Sequence, residues 1–113
     1  MKLPGAERAV VEPVKVRDYL LSFEHPVGRS KAHFFAALGF ERDRWPELQI
    51  ALHSLAQTGV AELGLATEFG QKYVVRGILV GPTGRSAHVE SVWMVPRGGD
   101  SPRLITAYPG DRE

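Results

Sequence analysis

The sequence predicts an α+β fold, with short N-terminal helices packed on one face of a C-terminal antiparallel four-stranded β-sheet. Two observations carry this reading. Apolar residues in the first half recur at three- and four-residue intervals, the period of an amphipathic helix. In the second half, stretches rich in valine and isoleucine alternate with turns containing glycine and proline, the pattern of consecutive hairpin strands. A chain of 113 residues is enough for one core, so residues 1–113 read as a single domain.

In chain order, residues 1–7 read as a loose N-terminal tail, and Arg8–Glu12 as a short edge strand ended by Pro13. Between Lys15 and Ser22, Val16, Tyr19 and Leu20 fall at helical spacing, with Phe23 just beyond. A second helix is expected from Ser30, a good N-cap, to Gly39, where glycine accepts the left-handed backbone that stops a helix. The third opens at Trp45-Pro46-Glu47, with proline in the first turn and an acid at the positive end of the dipole. It buries Leu48, Ala51, Leu52 and Leu55 and closes at Gly59.

Strands are expected over Glu62–Phe69, Tyr73–Val80, Arg85–Val95 and Arg103–Tyr108. With Gly81–Gly84 as the hairpin turn, Val80 opposes Arg85. That register puts Val74, Arg76, Ile78 and Val80 with Ala87, Val89, Trp93 and Val95 against the helices. Tyr73, Val75, Gly77 and Leu79 then share the open face with His88, Glu90, Val92 and Met94. A slip of one residue exchanges the faces of one strand, because the side-chain period is two.

Composition removes several classes of function. The formal net charge is +1, so contact with nucleic acid has to come from a local basic patch. The chain has no cysteine, which excludes a disulfide framework, a thiolate nucleophile and cysteine-ligated zinc. No apolar run approaches the ~18 residues of a membrane span, and the N-terminus lacks a charged-then-apolar signal pattern. A cytoplasmic protein with no membrane partner is the expectation. His25, His33, His53 and His88 show no metal-ligand spacing, and no phosphate loop or dinucleotide fingerprint occurs. No metal or other cofactor is therefore expected.

The densest chemistry lies in His25-Pro-Val-Gly-Arg-Ser-Lys-Ala-His-Phe-Phe35. His25, Arg29, Lys31 and His33 gather at a helix start, whose backbone donors favour an anion. At 100° per residue, Phe34, Phe35 and Leu38 lie near the direction of Lys31, while His33 points to solvent. Lys31 thus starts at the rim of the core-facing stripe, either as an anion-binding group or as a lysine snorkelling over Phe35.

The chain resembles an uncharacterised bacterial family of small single-domain proteins over about Lys15 to Pro109. The resemblance rests on Lys15 with Asp18-Tyr-Leu-Leu21, His25-Pro-Val-Gly28, Ser30-Lys-Ala32, Gly70-Gln-Lys-Tyr73, Val92-Trp93 and Thr106-Ala-Tyr-Pro109. More widely, helices followed by a four-stranded sheet ending in Leu-Ile-Thr-Ala-Tyr-Pro resemble the barnase–EndoU–colicin–RelE class of nucleases and toxins. That class implies a metal-independent endoribonuclease, RNA as substrate, and a small cognate antitoxin as partner in a bacterial toxin–antitoxin pair. It implies His25, Lys31 and Thr106 as catalytic positions, with Tyr73 and Tyr108 beside them on the sheet. The chain departs from the class in lacking a barnase-like Glu-Arg-His set and the strong basic charge of RelE.

Metal-free RNA cleavage needs a base for the 2′-hydroxyl, an acid for the leaving oxygen, and cations for the phosphate. Lys31 and Arg29 suit the last task, and Arg103 adds a planar fork. His25 is the expected proton carrier. Thr106 and Tyr73 offer hydroxyls to orient the phosphate, while Trp93 is expected in the core. His88 and Glu90 make a second acid–base candidate, more often a solvated cross-strand pair. The alternative function is a non-catalytic RNA- or protein-binding module of the same fold.

Overall fold

Pro13 opens the first helix, where its missing N–H costs nothing. Pro13–Lys15 is α-helical (α1) and passes without a break into a π-helical turn, Val16–Leu20, closed by the Leu21 N–H donating to the Val16 carbonyl at 2.9 Å. The structure, a computed structural model, describes residues 1–110; residues 111–113 of the expected domain lie outside the described residues. Helix α2 spans Arg29–Ala37 and α3 spans Trp45–Thr58. Short 3₁₀ turns occupy Ala6–Arg8 and Arg42–Arg44.

Helix α2 begins one residue before the expected cap, so Ser30 is its second residue. The reason is local. The His25 ring nitrogen Nδ1 accepts the N–H groups of Val27 and Gly28, both at 3.0 Å, and winds the chain before Ser30 is reached. Gly39 ends the helix as expected, at φ 98°, with the Phe40 N–H returning to the Phe35 carbonyl. Leu48, Leu52, Leu55 and Ala56 form the buried stripe of α3, and Ala51 lies half-buried beside it.

The sheet is a meander of strands β1 (Val60–Thr67), β2 (Gly70–Val80), β3 (Ser86–Pro96) and β4 (Arg103–Pro109). Neighbours in sequence are neighbours in the sheet, and all pairs are antiparallel. The helices-then-meander α+β architecture is the one the sequence predicts.

One register differs. Val80 pairs with Ser86, not Arg85, so β2 presents its other face to the helices. Val75 and Leu79 are buried with Val89 and Trp93, while Arg76, Ile78 and Val80 face away. The loop is longer than a four-residue turn. Gly81 and Arg85 are held together by the Gly81 N–H on the Arg85 carbonyl at 2.7 Å, leaving Pro82-Thr83-Gly84 as the tip. Gly81 sits so close to α2 that a Cβ there would collide with the Leu38 carbonyl. The expected faces of β3 hold, and Trp93 is fully buried.

Two N-terminal expectations change. Residues 1–7 are not loose: Leu3 and Ala6 belong to the core, and the Met1 carbonyl accepts the Ala61 N–H at 2.8 Å. Arg8–Glu12 forms no strand, only a parallel bridge between Val10 and Arg103 along the outer edge of β4. Phe23, placed on the helical stripe by spacing, is about half exposed and lies edge-on to His33. At the opposite edge, β1 buries Ala61 alone and exposes Leu63 and Leu65.

Candidate active site

Val16 and Leu20, both fully buried, anchor the π turn to the core. The turn carries Asp18 and Tyr19 on its outer side, and Tyr19 becomes the point where four segments meet. Its hydroxyl shares a 3.0 Å hydrogen bond with the Thr106 hydroxyl of β4. The His25 ring approaches it edge-on, with centroids 5.0 Å apart. The Lys15 ammonium lies 5.3 Å from its ring centroid and the Lys31 ammonium 5.6 Å. Lys15 stands four residues before Tyr19, the spacing at which helical side chains meet. Lys31 comes from the first turn of α2, half-buried at the core rim, while His33 is exposed.

Gly28 makes this convergence possible. A Cβ at that position would collide with the Tyr19 carbonyl, so only glycine lets the 25–28 loop lie flat against the π turn. On β4, the register against β3 shifts between Val92 and Trp93, leaving Ile105 as the extra residue. Such a bulge bends its strand and strengthens its twist. Thr106 comes directly after it.

The charges beside Tyr19 are unevenly partnered. Asp18 accepts two bonds from Arg17, at 3.0 and 2.8 Å, and one from Arg42 at 2.9 Å. Hydrogen bonds from Arg17 and then Arg42 hold its carboxyl far below the usual carboxylate range. Arg42 also donates to the Arg17 carbonyl, tying the segment before α3 to the π turn. Among the described residues, no carboxylate lies within ion-pair reach of Lys15 or Lys31. Lys15 opens on a hollow of about 510 Å³ walled by Val14, Lys15, Asp18, Tyr19, His25 and Val27, and Lys31 lies against the Tyr19 ring. A lysine without a carboxylate partner, a tyrosine and an imidazole on one open hollow can hold and polarise an oxyanion.

His25, Lys31 and Thr106 each lie against Tyr19, although they come from a loop, a helix and a strand. The other expected residues lie apart from them. Arg29, the first residue of α2, is exposed. Tyr73 sits on β2 opposite Trp93, packed on the core, and does not share a face with His88 or Glu90. Arg103 is engaged by Glu12 at 2.9 Å at the start of β4. Tyr108 donates to Glu90 at 3.3 Å on the face away from the helices. There Arg76 bridges Glu62 at 2.6 Å and Glu90 at 3.3 Å, so Glu90 is bound into a ladder across the sheet rather than paired with His88.

Lys15 and Tyr19 are the residues that spacing alone did not single out. Tyr19 reads as one more apolar residue on a helical stripe. The available signal was its hydroxyl, which needs a partner when a tyrosine is half-buried. A second hollow of about 520 Å³ opens between Phe34, Ile78, His88 and Pro109, with His88 as its one ionisable wall residue. Among the described residues, no group of three His, Asp or Glu side chains is placed to hold a metal ion.

The fold and cleft together define a small α+β domain whose N-terminal helices gather cations over the edge strand of a four-stranded meander. Residues 2–111 match the model of DUF6883, a domain of unknown function, and the chain belongs to that family. The fold is shared with a chain of the contact-dependent growth inhibition toxin–immunity protein complex from Klebsiella pneumoniae 342, at 21% identity and a TM-score of 0.69. That match covers 96% of this chain and 98% of the other. No curated protein matches the sequence.

Proposed function

We propose that this chain is a toxin-like endoribonuclease that cleaves RNA without a metal ion, and that a small cognate protein restrains it. The observation that carries the reading is the pair of lysines, Lys15 and Lys31, poised over Tyr19 with no carboxylate to neutralise them among the described residues. A phosphodiester is the anion that this reading places against the two lysines. The shared fold with a chain of a growth inhibition toxin–immunity complex supports the toxin-like role and the protein partner.

In this reading the 2′-oxygen attacks phosphorus, the bond to the 5′-oxygen breaks, and a 2′,3′-cyclic phosphate and a 5′-hydroxyl result. One proton leaves the 2′-hydroxyl and one reaches the departing oxygen. Lys15 and Lys31 offset the charge that builds on the non-bridging oxygens. The Tyr19–Thr106 hydroxyl pair orients the phosphate and offers a path for proton exchange. His25 closes the wall of the cleft.

The test is cleavage of excess RNA by purified protein in chelator, with end-group analysis of the products. Lys31→Ala should slow it at unchanged fold stability, and Thr106→Ala should slow it under conditions where the variant is still fully folded. Binding of RNA with no turnover would reduce the reading to that of a binding module.

A further inference from the structure

The two nitrogens of His25 do different work. Nδ1 accepts the N–H groups of Val27 and Gly28, both at 3.0 Å, while the His25 carbonyl accepts the Arg29 N–H at 3.0 Å. Pro26, which has no N–H to satisfy, is the next residue. The His25-Pro-Val-Gly segment therefore behaves as the capped entry to α2, with an imidazole nitrogen in the role that an Asp or Asn oxygen commonly fills.

An acceptor nitrogen carries no proton, so the proton of the neutral ring resides on Nε2. Nε2 makes no hydrogen bond among the described residues, and the ring forms part of the cleft wall. The charged and titratable groups that wall the hollow with it are Lys15 from α1 and Asp18 and Tyr19 from the π turn, and Lys31 from α2 lies against the Tyr19 ring. Asp18 is already saturated by Arg17 and Arg42. A second proton on Nδ1 would meet two N–H donors and no acceptor.

We propose that His25 contacts the substrate as a hydrogen-bond donor through Nε2, with Nδ1 committed to capping the turn into α2, and that it is not the proton carrier of the site. This rests on the reading of the cleft as a phosphodiester site. It changes the division of labour: His25 joins Lys15 and Lys31 in stabilising charge on the phosphate. Neutral histidines held at helix N-termini can act in this electrophilic way.

Two substitutions divide the nitrogens. His25→Asn keeps an acceptor at the Nδ1 position and removes the Nε2 donor. His25→Gln places an N–H near Nε2 and removes the cap. The expected order is His25→Gln within about tenfold of the parent rate on RNA, and His25→Asn lower by about 10²-fold, the usual loss for a transition-state donor. The reverse order would overturn the proposal.

Long-range ¹H–¹⁵N correlations of the imidazole in the unmodified protein, at about pH 8 and above the free-histidine range, give an independent readout. Nδ1 should show the shift of an unprotonated acceptor and Nε2 that of an N–H. A proton on Nδ1 would sink the assignment whether or not RNA is cut. The expected tautomer in a protein that cuts no RNA would instead sink the nuclease reading and leave the role of Nδ1 standing.

Discussion

The Tyr19 hydroxyl and the Thr106 hydroxyl, 87 positions apart in sequence, meet at 3.0 Å and fasten the first helix to the last strand. The bond closes the chain on itself at the cleft, so the two residues belong both to the site and to the fold. Tyr19→Phe keeps the ring under Lys15 and Lys31 and loses only the hydroxyl. Its cost should be about 0.5–1.5 kcal/mol, the net worth of one such bond. Combined with Thr106→Val in a double-mutant cycle, the two losses should fall short of additive. Chemical denaturation of the four proteins checks this.

Lys15 and Lys31 should act on ligand binding more than on folding. Each is expected to contribute about one unit to the dependence of log affinity on log salt for RNA. Lys15→Ala and Lys31→Ala should each lower that slope, with denaturation midpoints close to the parent. Titration of an uncleavable 2′-O-methyl RNA at several salt concentrations measures it, and an unchanged slope in both variants would place the RNA elsewhere.

Asp18 gives stability a defined acid limb. Its carboxyl is depressed in the folded state by hydrogen bonds from Arg17 and Arg42, so it binds a proton more readily when the chain is unfolded. Its stabilising effect is complete above the unfolded carboxylate range of about 3.9 and is lost as pH falls toward the folded value. Asp18→Asn should therefore lower the melting temperature near neutrality, and the gap to the parent should narrow in acid. Melting curves from about pH 6 to about pH 2 would show it.

At the alkaline end the sign reverses. Burial, and then the nearby Glu90 charge, raise the Tyr108 phenol above its ordinary value. A group raised on folding stabilises below its unfolded value, about 10 for tyrosine, and that stability fades as pH climbs through the folded value. Tyr108→Phe should flatten the alkaline limb of a stability–pH curve while leaving the contacts of Tyr19 in place, because the Tyr108 hydroxyl bonds Glu90 and not the groups around Tyr19.

Ser91 is fully buried and relays a bond from the Trp93 indole N–H, 2.8 Å away, to the Val75 carbonyl at 3.0 Å. Ser91→Ala would strand that indole N–H in the core, at a cost of about 1–3 kcal/mol. Adding Trp93→Phe should then cost less than it does in the parent, since the stranded donor goes with it. Equal costs in both backgrounds would show that the bond contributes little.

Helix faces and strand order were legible because periodicity reports which side chains seek burial. Leu48, Leu52 and Leu55 on α3, the left-handed Gly39, and Trp93 in the core are all readable from it. The β2 register was not, since one extra residue in the Gly81–Arg85 loop changes the parity of every pair after it. The π turn has no residue pattern of its own, so Tyr19 read as core stripe rather than as the centre of the cleft. The convergence of His25 and Lys31 on Thr106 came from resemblance; the contact that explains it, through Tyr19, needed coordinates.

The π turn also makes the cleft sensitive to chain length rather than only to side-chain chemistry. Inserting a single alanine within Val16–Leu20 would turn the residues that follow it by about 100° about the helix axis. The side chains would all survive while the spacing between α1 and the 25–28 loop did not. A count of residues, more than any one of their identities, sets where Tyr19 points.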